Sequence, residues 1–173
     1  MEYRNSEIDD LESIFDLYAA AVEYQKIVSP KQWQGFDTEM VKIEILDNRQ
    51  WKILIDQQIA CIFAITFDDK LIWGDRDCND AIYIHRIVTN PKFRGAQFVK
   101  HIVAWAHGYA TSIGKKYIRM DTWGDNQKLI AYYQTCGFQF LGFVTLEASE
   151  GLPAHYSTAT LSLFELEANQ ILK

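Results

Sequence analysis

A chain of 173 residues with 49% hydrophobic and 14% aromatic side chains is apolar enough to bury one core, which excludes a disordered or fibrous protein. Its 17 basic against 23 acidic residues leave a net charge of −6, the wrong sign for sequence-independent binding to nucleic acid. The three cysteines (Cys61, Cys78 and Cys136) are odd in number and widely spaced, so neither a disulfide framework nor a cysteine-rich zinc site is indicated. The residues from Met1 to Asn5 lead into acidic Asp9-Asp10 without an apolar stretch of signal-peptide type. No apolar run approaches the ~20 residues of a membrane span, so a soluble cytoplasmic protein without a membrane partner is expected.

Ser6 is placed to cap a first helix, with Glu7, Asp9 and Asp10 suited to the positive end of its dipole. Leu11, Ile14, Phe15, Tyr18, Ala21 and Val22 then recur at helical spacing. After a break at Ser29-Pro30, apolar Met40, Val41, Ile43 and Leu46 predict a short helix from Thr38 to Leu46. The period then changes. Trp51–Ile55 and Ile59–Phe67 are short runs rich in Ile and Phe, and polar Asp56-Gln57-Gln58 between them reads as the turn of a hairpin. Asp68–Asp80 is polar and acidic around Trp73-Gly74 and reads as a loop.

Ala81–Thr89 is a dense strand, stopped at Asn90-Pro91 because proline cannot donate to a sheet ladder. A long amphipathic helix starts near Gly95, with Phe98, Ile102, Trp105, Tyr109 and Ile113 along its apolar face. Gly114 stands where a left-handed residue would end it. Tyr117–Thr122 is the next strand, and a helix-length connection between two strands predicts a right-handed crossover and a parallel pair. A shorter helix with Leu129, Ile130 and Tyr133 ends at Gly137, before strands Phe138–Leu146 and Tyr156–Leu166. The order predicts a single α/β domain over 1–173, a mixed sheet with helices on both faces.

The chemistry concentrates where a strand turns into the long helix, at Ile87 to Gly95. Such a turn leaves peptide N–H groups at the positive end of a helix dipole, a ready site for an anion. Arg94 adds charge and Gly95 lets the backbone approach a ligand; an ordinary surface turn with a solvated arginine is the alternative.

Pro91-Lys92-Phe93-Arg94-Gly95 before a long amphipathic helix resembles the acetyl-CoA-binding motif of the GNAT superfamily of N-acetyltransferases, R/Q-x-x-G-x-G/A. Downstream, Asn126, Leu129, Ala131, Tyr133 and Cys136-Gly137-Phe138 resemble the family's N-x-x-A-x-x-x-Y-x-x-x-GF run, with the alanine displaced. The element order is also similar, so the resemblance covers essentially the whole chain. It implies a mostly antiparallel mixed sheet with a parallel, splayed pair in the middle. In register with the first motif the chain reads Arg94-Gly95-Ala96-Gln97-Phe98-Val99, so Gln97 and Val99 replace two glycines that wrap the pyrophosphate.

The resemblance further implies that acetyl-CoA is the acyl donor, with no metal, and that a small-molecule or protein amine is the acceptor, acetylated by direct transfer. Pantetheine would pair with the strand end at Ile87, Val88 and Thr89, where a peptide N–H polarises the thioester carbonyl. Arg94 to Val99 would hold the pyrophosphate, and Asn126 would contribute to the coenzyme site. Tyr133 takes the position of the acid that protonates the departing thiolate; a core aromatic beside Leu129 and Ile130 is the other reading.

A base must also relieve the attacking amine of a proton. His85 is the first candidate, because period-two alternation puts it on one face with Ile87 and Thr89. It could instead be satisfied within the sheet or by Asp75, Asp77 or Asp80. Asp121 and His155 are further candidates, whereas His101 and His107 look like surface positions. Trp33, Phe36, Trp73 and Trp123 line a cleft or pack loops. The changed glycines motivate an alternative, a catalytically silent binding module of the same fold; a dimerising structural domain is a third reading.

Overall fold

The computed structural model describes residues 1–28, 32–124, 126–146 and 159–169. The break at Ser29-Pro30, His155 and the first residues of the last expected strand lie outside them. Strands β1 (Glu2–Asn5), β2 (Gln50–Ile55), β3 (Gln58–Thr66), β4 (Ala81–Thr89), β5 (Tyr117–Trp123), β6 (Gln139–Thr145) and β7 (Thr160–Glu167) are hydrogen-bonded in the order β1-β2-β3-β4-β5-β7-β6, a mixed and mostly antiparallel sheet in an α/β fold. Two compact units divide the chain: Met1–Ile65 with Arg86–Phe98, and Thr66–His85 with Val99–Lys173. Strand β4 (Ala81–Thr89) contributes to both. Among the described residues no helix is long and apolar enough to cross a membrane.

In the first unit β1 (Glu2–Asn5) runs antiparallel to β2 (Gln50–Ile55), from Glu2↔Leu54 to Asn5↔Trp51. This strand has no expectation in the sequence, because Glu2, Tyr3, Arg4 and Asn5 offer no apolar face. Ser6 does not cap a helix. Its N–H donates to the Gln50 carbonyl at 2.8 Å, extending the β1 pairing. The cap is Glu7, whose N–H donates to Asp10 Oδ2 at 2.7 Å in a capping box that opens a 3-10 turn, Ile8–Asp10. Helix α1 (Leu11–Val28) follows directly.

Helix α2 (Thr38–Leu46) is capped by Asp37, whose Oδ1 accepts from the Met40 N–H at 2.8 Å. The hairpin of β2 and β3 (Gln58–Thr66) turns on Asp56 and Gln57 alone. Their φ angles of 48° and 63° make the left-handed pair of a type I′ turn, which matches strand twist. Ile14, Leu17, Tyr18, Val41, Ile45, Ile62 and Val88 form the core of this unit. Burying each large aliphatic side chain there contributes about 1.5–3 kcal/mol. Trp33 and Phe36 pack against that core, their rings 5.2 Å apart.

In the second unit the acidic stretch is not a plain loop. It folds into α3 (Lys70–Trp73) and a 3-10 turn (Gly74–Arg76), because Ile72 and Trp73 are drawn into a core with Tyr83, Leu161 and Leu163. Trp73 is therefore a core residue rather than a cleft wall. Residues Ala81–Ile84 of β4 pair in parallel with Tyr117–Met120 of β5 (Tyr117–Trp123), as the crossover rule requires. Strand β7 (Thr160–Glu167) is antiparallel to β5 on one side and to β6 (Gln139–Thr145) on the other.

Helix α4 (Phe98–Ser112) begins after Gln97, later than the apolar pattern suggests, and buries Phe98, Ile102, Val103, Ala106 and Ala110. Gly114, at φ 71°, ends it with the Lys115 N–H donating to the Ala110 carbonyl at 2.8 Å; Ile113 is left exposed. His107 is not a surface position, since its Nδ1 lies 2.7 Å from the Ala168 carbonyl. Helix α5 (Gln127–Thr135) starts at Asn126 and is followed by left-handed Gly137.

Candidate active site

In the first unit β4 carries an irregularity that composition conceals. Arg86 has φ 49° within an otherwise extended strand, so period-two alternation is interrupted there. The face shared by His85, Ile87 and Thr89 therefore cannot be derived from alternation. Val88 is buried, whereas Ile87 and Thr89 are only partly covered. On the neighbouring strand β3 Cys61 is buried, and burial pushes its thiol up to about 12, so it stays protonated.

The strand closes at Asn90, whose N–H donates to the Ala60 carbonyl at 2.9 Å and whose Nδ2 donates to the Ile59 carbonyl at 2.8 Å. Asn90 Oδ1 also accepts from the Lys92 N–H at 3.1 Å, holding the 3-10 turn Pro91–Phe93. Gly95 follows at φ 89° and Gln97 at φ 53°. A Cβ on Gly95 would meet no atom within 4 Å, so the glycine is required by its dihedral and not by crowding. Gln97 holds the left-handed conformation that a glycine adopts without strain, at a cost of roughly 1 kcal/mol. Its side chain and that of Arg94 are exposed, and the Arg94 guanidinium lies 4.3 Å from the Tyr24 ring centroid. Ala96 is partly covered and Phe98 is buried, so this turn ends in an anchored helix start.

In the second unit the sequence's rival bases come together. His85 Nε2 lies 3.4 Å from Asp69 Oδ2, and His85 Nδ1 lies 3.9 Å from Asp121 Oδ1. The imidazole is thus flanked by a carboxylate on each ring nitrogen. Its acidic neighbour from the 68–80 stretch is Asp69, not Asp75, Asp77 or Asp80. Thr66 Oγ1 is 3.4 Å from His85 Nε2 and donates to the Asp68 carbonyl at 2.9 Å, which leaves it an acceptor toward the ring. The Asp121 side chain is only 2% exposed.

Asp69 is fixed by its backbone: its N–H donates to Asp77 Oδ2 at 2.8 Å, and its carbonyl accepts from the Trp73 N–H at 2.9 Å. Burial, with smaller contributions from the charges of Asp77 and Asp68, raises its carboxyl to about 7. No spacing rule separates Asp69 from the other aspartates of its stretch, which is why sequence reasoning misses it. One ligand atom from each of Asp69, His85 and Asp121 lies within 4.8 Å of the others, the sole such group among the described residues. The close approaches use opposite ring nitrogens, whereas a bound ion would take only one.

Tyr133 on α5 is partly buried, 5.1 Å from the Phe164 ring and 6.4 Å from that of Phe138 by centroids. Its phenol is raised well above the ordinary value by burial first, then by the charges of Tyr132, Cys136 and Asp121. It remains protonated at neutral pH, as a proton donor must. Asn126 Oδ1 accepts from the Leu129 N–H at 3.2 Å, so this side chain is the N-cap of α5. Val99 lies in the first turn of α4, partly covered.

The model of the acetyltransferase (GNAT) family matches residues 14–138, most of the chain. The chain is similar to the uncharacterized N-acetyltransferase YesJ of Bacillus subtilis (strain 168), 25% identical over 142 residues covering 78% of this chain and 79% of that one. An acetyltransferase GNAT-family structure from Listeria monocytogenes superposes with a TM-score of 0.76 at 23% identity, covering 96% of this chain and 94% of the other. The Salmonella typhimurium yncA structure, solved with its cofactor acetyl-CoA, gives 0.68 at 12% identity over 99% and 96% of the two chains. The chain belongs to the acetyltransferase (GNAT) family and is an acyltransferase.

Proposed function

We infer that the protein transfers the acetyl group of acetyl-CoA directly to a primary amine, with residues 1–173 acting as one acyltransferase domain. The observation that carries this reading is the placement of His85 against Asp69 and Asp121, with the protonated Tyr133 phenol in the field of Asp121. The amine nitrogen attacks the thioester carbonyl carbon, and the carbon–sulfur bond breaks. His85 accepts the proton that the nitrogen loses, and Tyr133 donates one to the departing thiolate. A phenol raised above its usual ~10 is a weaker acid than a thiol near ~8.5, so the proton transfer runs uphill and the cycle closes when the proton taken by His85 is returned through solvent to the Tyr133 phenolate.

A peptide N–H of the Ile87-Val88-Thr89 segment serves the developing negative charge on the carbonyl oxygen. The turn from Arg94 to Val99 binds the coenzyme's phosphates through charge and peptide N–H groups. The left-handed dihedrals of Gly95 and Gln97 support this fit, because Gln97, which replaces the motif's first glycine, still holds a backbone conformation that glycine adopts freely. Asn126 contributes through the α5 start that it caps. The acceptor is an amine, borne by a small molecule or by a protein.

The test is release of coenzyme thiol from acetyl-CoA with a panel of alkyl amines, polyamines, and peptides with an amino-terminal or lysine amine. Amine-dependent release is expected, together with a higher Tm in millimolar acetyl-CoA. No release with any amine, and a melting curve that acetyl-CoA leaves unmoved, would sink the reading.

A further inference from the structure

We propose that Arg86 is a positioning residue for acyl transfer, holding through Glu44 the irregular backbone of β4 that sets the peptide groups of Ile87 and Val88. The proposal rests on the role given to that segment under the proposed function. Arg86 has φ 49° although it carries a long side chain, a conformation that persists only where the surroundings over-determine it. Its side chain supplies that determination. Nη2 bonds to Glu44 Oε2, Nε donates to the Tyr18 hydroxyl at 3.2 Å, and the guanidinium carbon stands 5.2 Å from the Phe36 ring centroid.

The anchor is itself anchored. The Tyr18 hydroxyl donates to Gln50 Oε1 at 3.3 Å, and Glu44 also lies 4.0 Å from Arg49. Side-chain exposure is 14% for Arg86 and 6% for Glu44, so water screens the pair little. A buried ion pair adds little net stability compared with apolar packing, yet it fixes one geometry and punishes the loss of either partner. The residues that inherit this geometry are the next two along the chain. Tyr18 on α1, Phe36 before α2 and Glu44 on α2 thereby fix the direction in which β4 continues.

Glu44→Gln keeps the shape and removes the charge, while Arg86→Met removes the guanidinium and keeps a long chain. Amide hydrogen exchange over residues 86–89 is expected to quicken at least about tenfold in both variants relative to the β2–β3 hairpin. Turnover of acetyl-CoA should fall about tenfold or more, with KM for acetyl-CoA and affinity for coenzyme A held within about threefold. The double variant should lose no more turnover than the worse single one, because both remove one interaction. If Arg86→Met does not fold, Tyr18→Phe and Glu44→Gln give the same readouts. Unaltered exchange, turnover within about twofold of the parent, or a matching loss of coenzyme affinity each overturns the proposal. A parent protein without acetyl transfer overturns the proposed function and this proposal with it; an active parent with unaffected variants overturns this proposal alone.

Discussion

Arg119 stands directly opposite Glu165 in the β5–β7 register, and its Nε donates to Glu165 Oε2 at 2.8 Å. Its Nη1 donates to the Arg76 carbonyl at 2.7 Å and to the Tyr83 hydroxyl at 3.0 Å, while the guanidinium carbon lies 5.1 Å from the Trp73 ring centroid and 4.9 Å from that of Tyr117. Charge, hydrogen bonds and ring faces meet at one side chain that is almost wholly buried. Arg119→Met leaves Glu165 without its partner and should cost about 3 kcal/mol. A urea titration should show this, with a Tm lower by roughly 6–12 °C. A loss below about 0.5 kcal/mol would mean that the network is not structural.

Tyr133→Phe removes one hydroxyl and keeps the aromatic packing on Phe164. If the phenol is the acid, kcat falls by roughly 10²–10⁴ while affinity for coenzyme A is unchanged. Calorimetric binding and steady-state rates on the same preparation separate the two quantities. Equal turnover would return Tyr133 to the core aromatics.

Gln97 and Gly95 hold left-handed backbone on either side of Ala96. Gln97→Gly should stabilise by up to about 1 kcal/mol, since the dihedral is already one that glycine prefers. Coenzyme affinity should be equal or tighter in this variant. Gly95→Ala should destabilise by about 1–2 kcal/mol and weaken coenzyme binding, although nothing crowds the new methyl group. Opposite signs for the two variants in melting and binding are the expected result.

Asp69 supplies a stability dependence of unusual sign. Its folded-state carboxyl, at about 7, lies above the ordinary aspartate value of 3.8, so between these pH values the folded state holds a proton that the unfolded chain releases. Stability from this group is therefore complete below pH ~4 and declines as pH rises toward ~7, by roughly 4 kcal/mol at most. Asp69→Asn should flatten that slope and be the more stable protein at pH ~8. Urea midpoints measured across this range decide it; a parent and variant with parallel profiles would contradict the assignment.

Much of the scaffold is legible because single residue types enforce it. Ala81–Thr89 reads as a strand from its β-branched and aromatic run, Pro91 marks its end, and the helix-length span to Tyr117 dictates the parallel pair. What escapes is held by tertiary pairing or by backbone. The β1 strand has no apolar face and exists through its ladder to β2, and α3 forms because Ile72 and Trp73 need a core. The site is legible only as a set of candidates. His85 and Asp121 stand as competing bases in sequence, whereas in space they are neighbours, with Asp69 completing the group from an acidic stretch of undistinguished spacing. The left-handed Arg86 leaves no mark in composition at all.

The strand order β5-β7-β6 also governs when this part of the molecule can be completed. β6 is made before β7, yet β7 lies between β5 and β6 and bonds to both. During synthesis, residues 139–145 must therefore remain as an unpaired ribbon until residues 160–167 have emerged, at a pace of about 5–20 residues per second. Partly covered Phe140 and exposed Phe143 lie in that waiting ribbon, 5.2 Å apart by ring centroids in the finished fold. A nascent chain stalled before Thr160 would present them on an unpaired strand, open to pairing with another chain.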